Sequence, residues 1–140
     1  MVKKSVGKVR RARKRDIPAI FELIDANPGT ILPRTPDELS ELVKTFWVVE
    51  EKGVVVGCCC LEIYSKKICE LRTLAVAKES QDQGYGRRLV RAVVREANRR
   101  GIHQILTITS ARSYFENLGF GSCLREKYAL FWRGTSGAKR

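Results

Sequence analysis

Leu71-Arg72-Thr73-Leu74-Ala75-Val76, followed a few residues later by Gln81-Asp82-Gln83-Gly84-Tyr85-Gly86, decides the architecture of this chain. The first stretch reads as an apolar strand, and the second opens an amphipathic helix. Glycines at alternate positions let the backbone turn tightly and approach a ligand closely, while several N–H groups stay free at the positive end of the helix. Those are the features of a pyrophosphate cradle. Structural turns use similar glycine pairs, so the surrounding sequence has to decide between the two.

Downstream of the turn, Leu89, Val90, Val93, Val94 and Ala97 form one apolar stripe, which predicts a helix from about Gly86 to Arg100 closed by Gly101. An apolar strand, Gln104 to Thr109, follows. A strand-helix-strand crossing of this kind places its two strands parallel, with the glycine turn at the carboxyl end of the first. Upstream, apolar runs predict a meander: Thr45 to Glu51, a Lys52-Gly53 turn, Val54 to Tyr64, a Ser65-Lys66-Lys67 turn, and Ile68 to Val76. Before it lie a short strand, Lys8 to Arg13, and a helix capped by Asp16 with Pro18 in its first turn, turning Ile20, Phe21 and Ile24 inward. That helix stops near Asn27-Pro28-Gly29. Thr35-Pro36-Asp37-Glu38 is a capping box opening a second helix that carries Leu39, Leu42 and Val43 inward. After the last long strand come a short helix, Ala111 to Asn117, and strands near Gly121 to Leu124 and Lys127 to Trp132. The expected fold class is α/β (α+β), a mixed, mostly antiparallel central sheet flanked by helices. Residues 1–7 read as a basic arm, 8–134 as a single domain and 135–140 as a basic tail.

The 140 residues suffice for one core, and no apolar run approaches the ~20 residues that span a bilayer. The N-terminal charges have no apolar region behind them, so neither a signal peptide nor a membrane partner is expected, and a cytoplasmic location is. The net charge of +12 implies an anionic partner without naming it. A solvated basic end, nonspecific attraction to nucleic acid, and a funnel for a phosphate- and carboxylate-bearing ligand all fit. No aromatic interleaving or helix-turn-helix pattern supports dedicated nucleic-acid recognition. Cys58, Cys59 and Cys60 are consecutive in a strand and point to alternate faces, so they do not converge on a metal ion. With Cys69 and Cys123 they read as small apolar fillers in a reducing compartment. A nucleophilic role is the alternative, though His103 is the only histidine and has no obvious cysteine partner.

The Gln81-x-x-Gly84-x-Gly86 turn resembles the acetyl-CoA loop of the GNAT superfamily of acyl-CoA N-acyltransferases. Three further runs are similar to one branch, the N-acetylglutamate synthase-like amino-acid acetyltransferases: Ile31-Leu32-Pro33-Arg34-Thr35, Glu70-Leu71-Arg72-Thr73-Leu74-Ala75-Val76, and Thr107-Ile108-Thr109-Ser110-Ala111. Many relatives carry a tyrosine general acid where this chain has Phe115, with Tyr114 one residue early. Two apolar aromatics at that place are common in the same branch, and Tyr114 reads as a core aromatic. The likeness spans roughly residues 8 to 132. No counterpart of the amino-acid-kinase domain of the longer synthases accompanies it, so inhibition by arginine through that domain is not expected.

The resemblance implies an acetyl-CoA-dependent N-acetyltransferase that needs no metal and acetylates L-glutamate to N-acetylglutamate for arginine biosynthesis. Acetyl-CoA would lie between splayed parallel strands. Leu74, Ala75 and Val76 would hold its pantetheine arm, and Gln81, Asp82, Gln83, Gly84, Tyr85, Gly86 and Arg87 its pyrophosphate. Glu70 would be the general base that frees the amine, against the alternative of a strand-end carboxylate paired with Lys66, Lys67 or Arg72. Arg34 would clamp a substrate carboxylate, with Lys67, Arg72, Thr109 and Ser110 as further contacts. Competing expectations are an N-acetyltransferase for another amino acid or a protein N-terminus, and a non-catalytic acetyl-CoA- or nucleic-acid-binding module. A homodimer stays open.

Overall fold

The computed structural model describes residues 6–28, 31, 34–122, 130 and 132, in two compact units divided along the chain between Ser110 and Ala111. The first unit is built on a five-stranded sheet in sequence order: β1 (Lys8–Arg11), β2 (Phe46–Glu51), β3 (Val54–Ile63), β4 (Ile68–Val76) and β5 (Gln104–Leu106). The first three pairings are antiparallel and β4–β5 is parallel, as the crossing requires.

Helices α1 (Ile17–Asp25) and α2 (Pro36–Leu42) supply Ile20, Leu23, Ile24 and Leu39 to a buried cluster with Phe46, Val48, Cys58, Cys60 and Ala75. Helix α3 (Tyr85–Arg99) packs on the sheet through Leu89, Val90, Val93 and Ala97, while Val94 is only half-buried. A Cβ on Gly57 would lie 3.2 Å from Leu89 Cδ1 and 2.7 Å from Val49 Cγ1, so this strand position has to be side-chain-free for the helix to sit close. Neighbouring strand positions therefore serve different layers. Cys58 and Cys60 meet the α1/α2 cluster, and Glu62, Glu70 and Arg72 continue their face along the β3–β4 hairpin.

Several local expectations change. Phe21 is 36% exposed, and Leu23, about one turn on from Ile20, is buried in its stead. Asp16 does not cap α1 with its side chain; its carboxylate accepts from the Arg13 N–H at 2.7 Å and from Arg10 at 2.8 and 3.0 Å. Arg10 also donates to Glu50, so one guanidinium ties β1, β2 and the turn before α1, and it holds the Asp16 carboxyl below its usual range. The Thr35 capping box forms as expected, with Glu38 N–H to Thr35 Oγ1 and Thr35 N–H to Glu38 Oε1 both at 3.2 Å. β5 stops at Leu106 rather than Thr109. The strands expected at Gly121 to Leu124 and Lys127 to Trp132 fall largely outside the described residues. No helix among the described residues is long and apolar enough to cross a membrane.

In the second unit, α4 (Arg112–Glu116) ends in a Schellman turn: Phe120 N–H donates to Phe115 O and Gly119 N–H to Glu116 O, with Gly119 at φ 98°. Phe115 is buried and meets Tyr114 and Phe120 edge-on at 5.3 and 5.4 Å. Tyr114 is 40% exposed, so it is Phe115 that fills the core position expected of it.

Glu96 is the electrostatic link between α3 and β1. Arg99, Arg100 and Arg11 each reach its buried carboxylate at 2.7 Å, and Arg11 also stacks on Trp47 at 5.0 Å. Hydrogen bonds from these arginines, Arg99 foremost, hold the Glu96 carboxyl down at about 2. A depressed carboxyl contributes stability above its unfolded value and loses it as pH falls toward the folded one. Glu96→Gln is therefore expected to cost of order 2 kcal/mol near neutrality, a penalty that shrinks between about pH 4.5 and pH 2. Urea unfolding across that range tests it. An equal penalty at both ends would mean the charge is not what matters.

Candidate active site

β4 and β5 pair over three residues only, Ile68↔Gln104, Cys69↔Ile105 and Glu70↔Leu106. One residue on, Thr107 Oγ1 donates to Leu71 O at 3.2 Å, and beyond it the parallel ladder ends. Leu74, Ala75 and Val76 keep β3 on one side and have no β5 partner on the other among the described residues. Apart from Val76 O, which accepts from Gln81 Nε2, their second backbone edge lies at the mouth of a wedge, where an extended chain with amide groups can pair.

β4 is also bulged in that segment. Cys58 faces Ala75 and Cys60 faces Arg72, so Thr73 and Leu74 share the single position opposite Cys59. Thr73 has φ 56°, a left-handed conformation that costs a β-branched residue ~1–3 kcal/mol. Its hydroxyl accepts from Arg34 Nε at 3.4 Å. Arg34 itself is 9% exposed, and its Nη2 is buried with no hydrogen-bond partner among the described residues. A buried guanidinium with an idle prong is costly unless an anion completes it.

After β4, Ala77 N–H donates to Val56 O at 2.7 Å, and Gln81 Nε2 closes back onto Val76 O at 3.0 Å. Asp82 at φ 65° and Gly84 at φ 81° turn the chain into α3. The first hydrogen bond within the helix comes from Arg88 N–H to Gly84 O, so the N–H groups of Tyr85, Gly86 and Arg87 at its positive end have no partner among the described residues. This geometry fits a diphosphate. Asp82, Gln83 and Arg87 are exposed beside it. Tyr85 departs from the expectation, because its ring is buried against Gly7 and its hydroxyl donates to Glu51 Oε2 at 2.5 Å; only its backbone faces the turn.

Glu70 sits where the strands begin to part and is 8% exposed. Glu62 lies directly opposite on β3, a like-charge pair that repels unless neutralised. Arg72 Nη1 reaches Glu62 Oε2 at 2.5 Å and Arg72 Nε approaches Glu70 Oε2 at 3.9 Å, while the Tyr64 hydroxyl donates to Glu70 and lies 3.4 Å from Glu62. Arg72 is therefore committed to two carboxylates and is not a spare cation for a substrate. Lys67 is exposed in the turn before β4, roughly 20 Å of extended strand from Thr73, so the fold does not gather it with Arg34 into one clamp. Thr109 and Ser110 lie exposed past the end of β5.

Tyr64 and Glu62 were not among the expected site residues. Their alternation with the inward-facing neighbours on the β3 arm, matched by Glu70 and Arg72 on the β4 arm, is the signal that marks them. The cysteines are unsuited to nucleophilic work. Burial pushes the Cys58 thiol up to about 12 and raises those of Cys59, Cys60 and Cys69. Cys123 lies outside the described residues.

The model of a family described as an acetyltransferase (GNAT) domain matches residues 43–121. An uncharacterized N-acetyltransferase from Chlorobaculum tepidum is 31% identical over 128 residues, covering 89% of this chain and 83% of its own. An amino-acid acetyltransferase from Mycobacterium tuberculosis is 34% identical over 116 residues, 80% of this chain and 67% of the relative. Among solved structures, the N-acetylglutamate synthase of Neisseria gonorrhoeae complexed with coenzyme A and N-acetyl-glutamate superposes with a TM-score of 0.75 at 28% identity. That likeness covers 82% of this chain and 28% of the synthase.

Proposed function

This chain belongs to the GNAT acetyltransferase family and is an acetyl-CoA-dependent N-acetyltransferase, and we propose that its acceptor is the α-amino group of L-glutamate, acetylated for arginine biosynthesis. The observation that carries the reading is Arg34: a buried guanidinium with one unpartnered prong, held by a strained residue at the bulge of the strand that lines the wedge. A dicarboxylate with one amine suits such a site better than a peptide, whose chain needs an open groove.

In this reading the free N–H groups of Tyr85, Gly86 and Arg87 hold the pyrophosphate of the co-substrate. The open edge of Leu74–Val76 aligns its pantetheine arm, bringing the thioester to the point where the strands part. Arg34 pairs with an acceptor carboxylate. Glu70 takes a proton from the ammonium, which cannot attack while protonated, and the amine then displaces the thiolate. Arg72 lies against both Glu70 and Glu62 and offsets the repulsion between them.

A CoA-release assay across the twenty amino acids tests the proposal. Glutamate is expected to give a rate at least tenfold above any other. A preference for an amino acid without a second carboxylate would overturn it.

A further inference from the structure

Acetylating an ammonium removes two protons from nitrogen. One ends on the departing sulfur and one must leave the site, since R–NH₃⁺ and a thioester give an amide, a thiol and H⁺. Glu70, the group assigned to receive that proton, is buried and has to be emptied before the next turnover. The Tyr64 hydroxyl bonds to it on one side and lies within 3.4 Å of Glu62 on the other. Tyr64 is 51% exposed and the Glu62 side chain 24%, so both groups beyond the buried Glu70 reach water.

We propose that Glu70, the Tyr64 phenol and Glu62 form a proton exit from the acceptor site. The proposal rests on the assignment of Glu70 as the base. The phenol oxygen takes the proton from the Glu70 carboxyl while its own hydrogen passes to Glu62, which releases it to solvent. Every group then returns to its starting state, and no oxidant or further reactant is required. Burial together with the Glu70 hydrogen bond pushes the Tyr64 hydroxyl up to about 12. It therefore stays protonated and gives a proton only as it receives one. Arg72 bonds to Glu62 and approaches Glu70 at 3.9 Å, so both ends of the relay are held against the same guanidinium. Tyr64 and Glu62 are thus positioning residues that act through Glu70.

Steady-state kinetics of Tyr64→Phe, Glu62→Gln and the double variant, with the amino acid that gives activity, test the relay. Each single variant is expected to lower kcat about tenfold with KM for the acceptor unchanged, and the double variant to add little, because one broken link already stops the path. Imidazole buffer is expected to restore the rate of Tyr64→Phe in proportion to its concentration, which a purely structural loss would not show. Parental kcat in Tyr64→Phe alongside an impaired Glu70→Gln would overturn the exit and leave the base standing. Parental kcat in Glu70→Gln would overturn both.

Discussion

Glu70→Gln is expected to lower kcat by roughly 10² to 10⁴ while acetyl-CoA still binds. Glutamine preserves the shape of the side chain and can still accept from the Tyr64 hydroxyl, but it cannot take a proton from the acceptor. It also leaves Arg72 with Glu62 alone, so circular dichroism and a calorimetric titration with acetyl-CoA are needed to show that the variant is folded and loaded. Normal turnover at neutral pH would return Glu70 to the other role its surroundings permit, that of a strand carboxylate neutralised by Arg72 and Tyr64.

The fold was legible because each element carries its own punctuation. The Thr35 capping box opens α2, the paired glycines open α3, and the meander from Phe46 to Val76 is set by apolar runs between two polar turns. What the sequence did not show depends on tertiary partners. Asp16 has the composition of a helix cap, but the nearby Arg10 guanidinium outcompetes the helix for its carboxylate. Phe21 lies at helical spacing on the edge of the apolar face, and periodicity alone does not tell the edge from the centre of a stripe. Tyr85, in the middle of the glycine turn, faces into the protein because α3 starts there and turns its first side chain toward Glu51.

The site was legible where the chemistry lies in the backbone and less so where it lies in pairing. A glycine turn after a strand announces helix N–H groups without partners, and those of Tyr85, Gly86 and Arg87 have none among the described residues. The bulge at Thr73 has no sequence signature, since nothing about threonine signals a left-handed residue inside a strand. Arg72 looks like one more cation for an acidic acceptor until the register places Glu62 opposite Glu70. The same register explains why Glu62 and Tyr64 escape a reading made one strand at a time. They become a cluster only when the hairpin from Val54 to Val76 is folded and the alternate positions of both arms are compared.

Arg34→Ala is expected to reduce kcat/KM for glutamate by roughly 30-fold or more, because removing the partner of a desolvated carboxylate typically costs about 2 to 5 kcal/mol. Acetyl-CoA affinity should be nearly unchanged, since Arg34 bonds to Thr73 within β4, whereas the loop proposed to hold the phosphates follows the strand and offers backbone N–H groups of its own. Arg34→Lys should recover only part of the loss: an ammonium restores the charge but not the planar, directed N–H groups of the idle Nη2. Arg34 also donates to Thr73, so its loss could act by relaxing the bulge rather than by releasing the acceptor. Thr73→Val separates the two causes, because it breaks that hydrogen bond and leaves the guanidinium in place. If Arg34 acts as a clamp, Thr73→Val should retain most of the activity toward glutamate. If the bulge is what matters, Thr73→Val should fail as badly as Arg34→Ala. Should both Arg34 variants acetylate glutamate as fast as the parent, the idle prong is not a carboxylate site and glutamate loses its main support as the acceptor.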